Sequence, residues 1–124
     1  MKANKIISIN PTTNNLVLEI EDEVVTKLNE TIYIAELMPE YQLRLYGDTQ
    51  QFEIEDIKER NCKLLRNSGF LQVHARFFIN SNFINRIQIE EHQIELVNDV
   101  SIPYTVEYEK NIENFLRSVS TINP

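Results

Sequence analysis

Residues 70–80 read FLQVHARFFIN, and this stretch decides how the rest of the chain is interpreted. A single regular strand would place Leu71, Val73, Ala75, Phe77 and Ile79 on one face and Gln72, His74, Arg76, Phe78 and Asn80 on the other. Glutamine, arginine and asparagine are the side chains that pair with adenine and guanine in the DNA major groove. They are also ordinary residues for the outward face of an antiparallel sheet, so the pattern alone leaves both interpretations open.

Length and composition indicate one globular domain. The chain has 124 residues, of which 42% are hydrophobic and 25% charged. It contains no run of about 18 apolar residues, so we expect no transmembrane span. Cys62 is the only cysteine, which excludes an internal disulfide and suggests the reducing cytoplasm.

The charge distribution argues against general nucleic-acid binding. The formal net charge is −7, and residues 1–60 carry 6 Lys/Arg against 12 Asp/Glu. Residues 61–124 carry 6 against 7 and are therefore nearly balanced. Because phosphate contacts supply most non-specific affinity, DNA binding would require a locally basic face.

Short β-type runs dominate the chain and predict a mainly β fold built from antiparallel hairpins. The predicted strands are 5–9, 16–20, 31–37, 42–46, 50–54, 70–80, 83–89, 94–97 and 100–103. Helical spacing predicts one mid-chain helix from Glu55 to Arg66, ended by Gly69, and a short C-terminal helix with Tyr108 and Ile112 on one face. Asn98-Asp99 is a predicted hairpin turn.

Catalytic and metal sites are not supported by the pattern. No nucleophile elbow such as GxSxG is present, and Cys62 falls in the predicted helix as a small apolar residue. Cys62, His74 and His92 are 12 and 18 residues apart, without the close ligand pairs that zinc sites use. We therefore expect neither an enzyme nor a metal or other cofactor, and we expect His92 on a solvated turn.

The 70–80 stretch resembles a motif of the LytTR domain, a β-rich DNA-binding domain of bacterial transcription regulators. The family motif is F-x-R-V-H-R-S-Y-I-V-N, and this chain matches it identically at Phe70, Val73, His74 and Asn80 and conservatively at Phe77, Phe78 and Ile79. The family's I-x-Y-I-E resembles residues 32–36, and its I-P-V-S-R resembles the segment that starts at Ile102-Pro103. The similarity covers roughly residues 25–117, which leaves residues 1–24 as an N-terminal strand pair or extension and 25–124 as the LytTR-like domain. We expect the two parts to form one compact unit.

The resemblance implies an elongated set of antiparallel sheets that inserts three loops into successive major grooves of duplex DNA, commonly at direct repeats. In this chain the loops contain Tyr41-Gln42, His74-Ala75-Arg76 and Thr105-Val106-Glu107. It also implies that His74 lies in a loop, whereas simple alternation predicts a strand. The candidate DNA-contacting residues are Tyr41, Gln42, Gln72, His74, Ala75, Arg76, Thr105 and Val106. Of these, Arg76 is expected at a base or phosphate, and His74 is expected to order its loop.

Several family arginines are missing. Gln72, Ala75 and Val106 stand where the family has arginine, Glu107 adds an acid, and Arg76 restores one positive charge. Each lost arginine–guanine pair would remove about 1–3 kcal/mol of discrimination. Two hypotheses remain. The first is a stand-alone cytoplasmic regulator that binds DNA. The second is a degenerate domain that no longer binds DNA and serves as a protein-interaction or dimerisation module, whose partner is another regulator or a second copy of the chain.

Overall fold

Strands make up most of the molecule. The computed structural model describes residues 1–10, 12, 15–21 and 24–120, apart from the side chains of Tyr41 and Ser120. In these ranges the strands are β1 Lys2–Ala3, β2 Lys5–Asn10, β3 Asn15–Ile20, β4 Val24–Asn29, β5 Ile32–Leu37, β6 Gln42–Gly47, β7 Gln51–Glu55, β8 Phe70–Gln72, β9 Phe77–Asn80, β10 Ile84–Gln88, β11 Gln93–Leu96 and β12 Ser101–Pro103. The helices are α1 Lys58–Asn67 and α2 Glu109–Ser120. The predicted mainly β class with one mid-chain and one C-terminal helix is confirmed.

The strands form three sheets. The largest has the order β1-β7-β6-β5-β9-β8, and the two smaller sheets are β2-β3-β4 and β10-β11-β12. Every neighbouring pair is antiparallel except β1 and β7, which run parallel. Most of these pairs are consecutive hairpins, which explains why the sequence pattern predicts the class correctly.

A first core joins the N-terminal sheet β2-β3-β4, one face of the six-stranded sheet and α1. Its fully buried side chains are Leu16, Leu18, Leu43, Leu45, Phe52, Ile54, Leu65 and Phe78. Each such side chain stabilises the fold by about 1.5–3 kcal/mol relative to an exposed position. This core anchors α1 behind the sheet through Cys62 and Leu65.

A second core lies between the other face of the six-stranded sheet, the sheet β10-β11-β12 and the start of α2. It contains Ile34, Val73, Ile79, Ile94, Leu96, Ile102, Tyr104 and Ile112. Neighbouring residues of β9 serve different cores, since Phe78 belongs to the first and Ile79 to the second. The alternation of side chains along a strand produces this division.

The 70–80 stretch is a hairpin and not one strand. β8 and β9 pair antiparallel, with Phe70 opposite Asn80 and Gln72 opposite Phe78. Val73–Arg76 form the connecting loop, so the prediction of a continuous alternating strand is wrong and the loop implied by the resemblance is confirmed. The chain reverses where Val73 is buried and Ala75 is exposed, which simple alternation cannot reproduce.

The structure differs from the prediction at two further places. The sequence pattern does not predict β4, because its Val24 and Val25 are both exposed and give no alternating pattern. The mid-chain helix begins at Lys58 rather than Glu55, with the extended Ile57 as its N-cap. Ile57 is 56% exposed, and the buried residues of the helix are Asn61, Cys62 and Leu65.

The predicted turns agree with the structure. Gly69 ends α1 with a φ of 91°, a conformation that glycine adopts without steric cost. Asp99 has a φ of 66° in the turn between β11 and β12, next to Asn98. His92 also lies in a turn, where its Nε2 is 3.2 Å from Glu109 Oε1.

Asn80 is a buried polar residue that connects two parts of the fold. Its Nδ2 donates to the Ile32 carbonyl at 2.9 Å, and its Oδ1 accepts from the Asn82 amide at 3.1 Å. The first bond joins β9 to the start of β5, and the second caps the 3-10 turn at Ser81–Phe83. A fully buried amide is tolerated only because both of its ends are hydrogen-bonded.

We predict that Asn80→Ala lowers the free energy of unfolding by about 1–3 kcal/mol, because the Ile32 carbonyl loses its donor and the turn loses its cap. Asn82→Ala is the matched control, since Asn82 is exposed and contributes only its backbone amide to this network. Urea unfolding followed by circular dichroism measures both. Equal stability of the two variants would contradict a structural role for the Asn80 amide.

Candidate nucleic-acid interface

The tip of the β8–β9 hairpin is ordered by hydrogen bonds within its own loop. The Val73 amide donates to the Phe77 carbonyl at 3.1 Å, and the Phe77 amide donates to the His74 carbonyl at 3.2 Å. The Arg76 amide donates to His74 Nδ1 at 3.1 Å. The His74 ring also packs on Phe77, with ring centroids 5.3 Å apart. Through these contacts His74 helps to order the loop from within.

The turn between β5 and β6 lies beside this tip. It is a 3-10 turn at Pro39–Tyr41, closed by the Met38 amide donating to the Gln42 carbonyl at 2.8 Å. Glu40 has a φ of 66°, in the left-handed region. The Leu37 amide donates to the Arg76 carbonyl at 2.7 Å, and this bond holds the turn against the hairpin loop.

The third segment follows β12 and leads into α2. The Thr105 amide donates to the Val73 carbonyl at 3.1 Å, so this segment lies on another side of the same hairpin loop. Gln72 adds two further hydrogen bonds between the hairpin and this third segment with the start of α2. Its Nε2 is 3.4 Å from the Tyr108 hydroxyl, and its backbone carbonyl accepts from Asn111 Nδ2 at 3.0 Å. The structure thus brings together the three segments that the sequence analysis selected.

A shallow groove separates the first two segments. Its volume is about 440 Å³, and its walls include Pro39, Gln42, Lys58, Ala75 and Arg76. Lys58, at the first turn of α1, was not a candidate in the sequence analysis. Only the packing of α1 against the sheet brings its exposed side chain to this groove, and no local pattern in the sequence indicates that.

Arg76 is the basic side chain at the tip, and it is already paired. Its Nη2 is 2.9 Å from Glu36 Oε2, although the Arg76 side chain remains 52% exposed. Glu36 is 13% exposed and accepts a second hydrogen bond, at its Oε1, from the Tyr46 hydroxyl at 2.5 Å. Burial and this bond to Glu36 raise the pKa of Tyr46, so the phenol stays protonated and keeps donating. Glu36 is thus an internal anion beside the loop.

The charges around the three segments nearly cancel. Arg76 and Lys58 are basic, whereas Glu40 and Glu107 are acidic and exposed. Val106, next to Glu107 in the sequence, presents a 70% exposed apolar side chain. The interface therefore lacks the strongly basic character of a typical DNA-binding face.

The predicted candidates fall into two groups. Gln42, Ala75, Arg76 and Val106 are exposed, whereas Gln72, His74 and Thr105 are partly buried and tie the segments together. Tyr41 closes the β5–β6 turn, and its side chain lies outside the described part of the chain. Sequence analysis missed Lys58 and the pairing of Glu36 with Arg76. Glu36 is part of the motif at residues 32–36, but nothing in that motif names its partner.

Other kinds of site gain no support from the described residues. Cys62 is buried, and burial raises the pKa of its thiol, which is opposite to what an activated nucleophile requires. Within the described ranges, no three His, Cys, Asp or Glu side chains are grouped closely enough to hold a metal ion. Neither described helix has the length and apolar character needed to cross a membrane.

Comparison with known proteins supports the fold from an independent direction. No protein-family profile matches the sequence, and no curated protein sequence does. Among solved structures, the chain is similar to the LytTr DNA-binding domain of a Bacillus cereus protein described as a methyl-accepting/DNA response regulator. The TM-score is 0.62 at 16% sequence identity, and the match covers 83% of this chain and 96% of that domain. The three sheets, the hairpin with His74 at its tip and this structural similarity together show that the chain has the LytTR fold.

Proposed function

We propose that the protein is a cytoplasmic bacterial transcription regulator that binds duplex DNA sequence-specifically through the three segments at the β8–β9 tip. The observation that carries the proposal is their convergence: direct backbone hydrogen bonds of 2.7 Å and 3.1 Å join the hairpin loop to the other two segments. The similar solved domain is itself described as DNA-binding. Loops fixed to each other in this way suit insertion into successive major grooves, with direct repeats as the expected site.

The exposed side chains suggest which residues contact bases and which contact phosphates. Gln42 and Arg76 are the polar side chains able to reach base edges, since glutamine pairs with adenine and arginine with guanine. Ala75 and Val106 are apolar and suit contact with a thymine methyl group. Lys58 suits a phosphate, where it would hold the protein in register without reading sequence.

To bind DNA at this interface, Arg76 has to release the Glu36 carboxylate and pair with a DNA phosphate instead. The Arg76 side chain is 52% exposed but Glu36 only 13%, so replacing Glu36 by a DNA phosphate leaves a largely buried carboxylate that keeps its bond from Tyr46 but loses its cation. The net charge of −7 still repels DNA as a whole. We therefore expect affinity that depends strongly on ionic strength and is measurable mainly at low salt.

A second candidate function is a protein-interaction module that has lost DNA binding. The internal pairing of Arg76 with Glu36 and the exposed Val106 next to Glu107 favour it. An exposed apolar side chain beside an acid suits a protein partner better than a phosphate backbone. Under this alternative the partner is a second copy of the chain or another regulator.

Selection from a random duplex library separates the two functions. Purified protein is equilibrated with the library at low salt, and the best sequence is then titrated at several salt concentrations. Enrichment of a repeated motif, with affinity falling as salt rises, is the expected result. Failure to enrich any motif at low salt would favour the protein-interaction module.

We predict that Arg76→Ala weakens binding to the selected site. If Arg76 contacts one phosphate, the slope of log K against log salt becomes shallower by about 0.9. Arg86→Ala is the matched control, because Arg86 forms a similar 2.9 Å bridge with Glu95 in the third sheet and is 62% exposed. Fluorescence anisotropy measures both variants. An Arg76→Ala variant that binds like wild type would remove Arg76 from the interface.

We predict that Val106→Arg strengthens binding, because it restores a basic residue where the family motif has arginine. The added charge should steepen the salt slope by about 0.9 if it meets one phosphate. Val24→Arg adds the same charge at an exposed position of β4 in the N-terminal sheet and controls for net charge. Equal gains from both variants would mean that net charge alone, and not this segment, determines affinity.

A further inference from the structure

A second cavity, of about 430 Å³, lies between the six-stranded sheet and the β11–β12 end of the third sheet. β5, β6 and β9 provide one wall, and Val100 and Ile102 provide the other. This volume is within the range of small-molecule sites, about 300–1,000 Å³. The DNA interface proposed above uses none of these cavity residues for contact.

Three aromatic side chains contribute to the lining. Tyr33, Tyr46 and Phe77 come from three neighbouring strands, and the buried Ile34 and Ile102 complete the apolar part. All five belong to, or pack against, the second core, which fixes their positions. Aromatic rings around a cavity attract positive charge through the negative faces of their π systems.

Each tyrosine is paired with a carboxylate. The Tyr46 hydroxyl donates to Glu36, and the Tyr33 hydroxyl donates to Asp48 at 2.5 Å. The hydrogen bond to Asp48 raises the pKa of Tyr33, and burial and the negative charges of Asp48 and Glu30 act in the same direction. Each hydroxyl hydrogen is already committed, so a ligand meets an acceptor oxygen at Tyr33, whereas Arg44 already lies beside the Tyr46 oxygen.

The positive charges nearby balance these acids only in part. Arg76 pairs with Glu36, and Arg44, which pairs with Glu53 at 3.5 Å, also lies near Tyr46 and Glu36. Asp48 has no basic partner among the described residues, but it lies outside the cavity lining. The lining therefore joins apolar and aromatic walls to one carboxylate, that of Glu36, which Arg76 already bridges. This carboxylate would repel an anion, and a neutral ligand could not compete with Arg76 for it.

We propose that this cavity binds a small organic cation, an ammonium group carried on an aromatic or aliphatic body. The body would occupy the space between Phe77, Ile34 and Ile102, and the ammonium would lie against the tyrosine faces and the Glu36 carboxylate. A site of this composition recognises charge through cation–π attraction and through charge-assisted hydrogen bonds.

Glu36 connects this cavity to the hairpin tip. It lines the cavity and also accepts the hydrogen bond from Arg76 Nη2. A bound ammonium competes for the same carboxylate, so occupancy weakens the hold on Arg76. Any consequence for DNA rests on the proposed function, whereas the change at Arg76 itself does not.

The test is a titration of the ¹⁵N-labelled full chain by NMR with 2-phenylethylamine, compared with 2-phenylethanol. The two probes share a body and differ in the ammonium group. We expect amide shifts at Gly47, Phe77 and Val100, a shift of the Arg76 Nε–H resonance, and about tenfold tighter binding of the amine. Equal binding of both probes, shifts elsewhere, or no shifts with the amine would overturn the proposal.

Two carboxylate variants sharpen the result. Glu36→Gln keeps the shape and removes the charge, so the amine should lose its advantage of about tenfold over the alcohol. Glu95→Gln is the matched control, because Glu95 accepts an equivalent 2.9 Å bridge from Arg86 outside the cavity, and it should keep the advantage. An amine preference that survives Glu36→Gln would contradict the role of Glu36.

A cavity-filling variant covers the case in which Glu36→Gln alters the loop. Val100→Phe places a larger side chain at a partly exposed cavity residue, and it should weaken both probes. Undiminished binding to Val100→Phe would place the probes outside this cavity. The titrations contain no DNA, so their failure leaves the library selection untouched, and a failed selection leaves the titrations valid.

Discussion

The pairing of β9 with β5 is the interaction on which the rest of the structure depends. It aligns Ile34 with Ile79, Ala35 with Phe78 and Glu36 with Phe77 across more than 40 residues of sequence. Through it the two β hairpins of the first half, β5-β6 and β6-β7, become one sheet with the hairpin that carries His74. The same register sends Phe78 and Ile79 into opposite cores, so shifting it by one residue would exchange the two sets of side chains.

The pairing also determines where polar groups meet. Because β9 lies next to β5, the loop at the start of β9 contacts the turn at the end of β5, and Arg76 reaches Glu36. The sheet therefore brings the three loops together and also places Glu36 where it forms an ion pair with Arg76. The chain thus combines the LytTR fold with an acidic charge of −7 and with a tip arginine that is already paired. Both features reduce the electrostatic attraction that a phosphate backbone would otherwise meet.

Sequence reasoning succeeded where local chemistry determines structure. Gly69 and the Asn98-Asp99 pair were identified because left-handed backbone conformations restrict residue choice. It failed where tertiary context decides. Val73 and Ala75 fit strand alternation, yet the chain reverses between them, and the edge strand β4 leaves its valines exposed. The three candidate loops came from the family resemblance. Periodicity cannot reveal contacts between residues 18 to 40 positions apart. Such contacts include the hydrogen bonds between the loops, the position of Lys58 at the groove and the Arg76–Glu36 bridge.

The acceptor role of His74 Nδ1 has a consequence for recognition. A neutral imidazole that accepts the Arg76 amide at Nδ1 carries its hydrogen on Nε2, so the bond selects one tautomer of the ring. The remaining nitrogen is then a donor in the neutral state as well as in the charged one. If the tip meets DNA as proposed, this donor would complement purine N7, guanine O6, thymine O4 or a phosphate oxygen, and it would be mismatched to the amino groups of adenine and cytosine. The loop's internal geometry thus limits the partners of a side chain before any partner arrives.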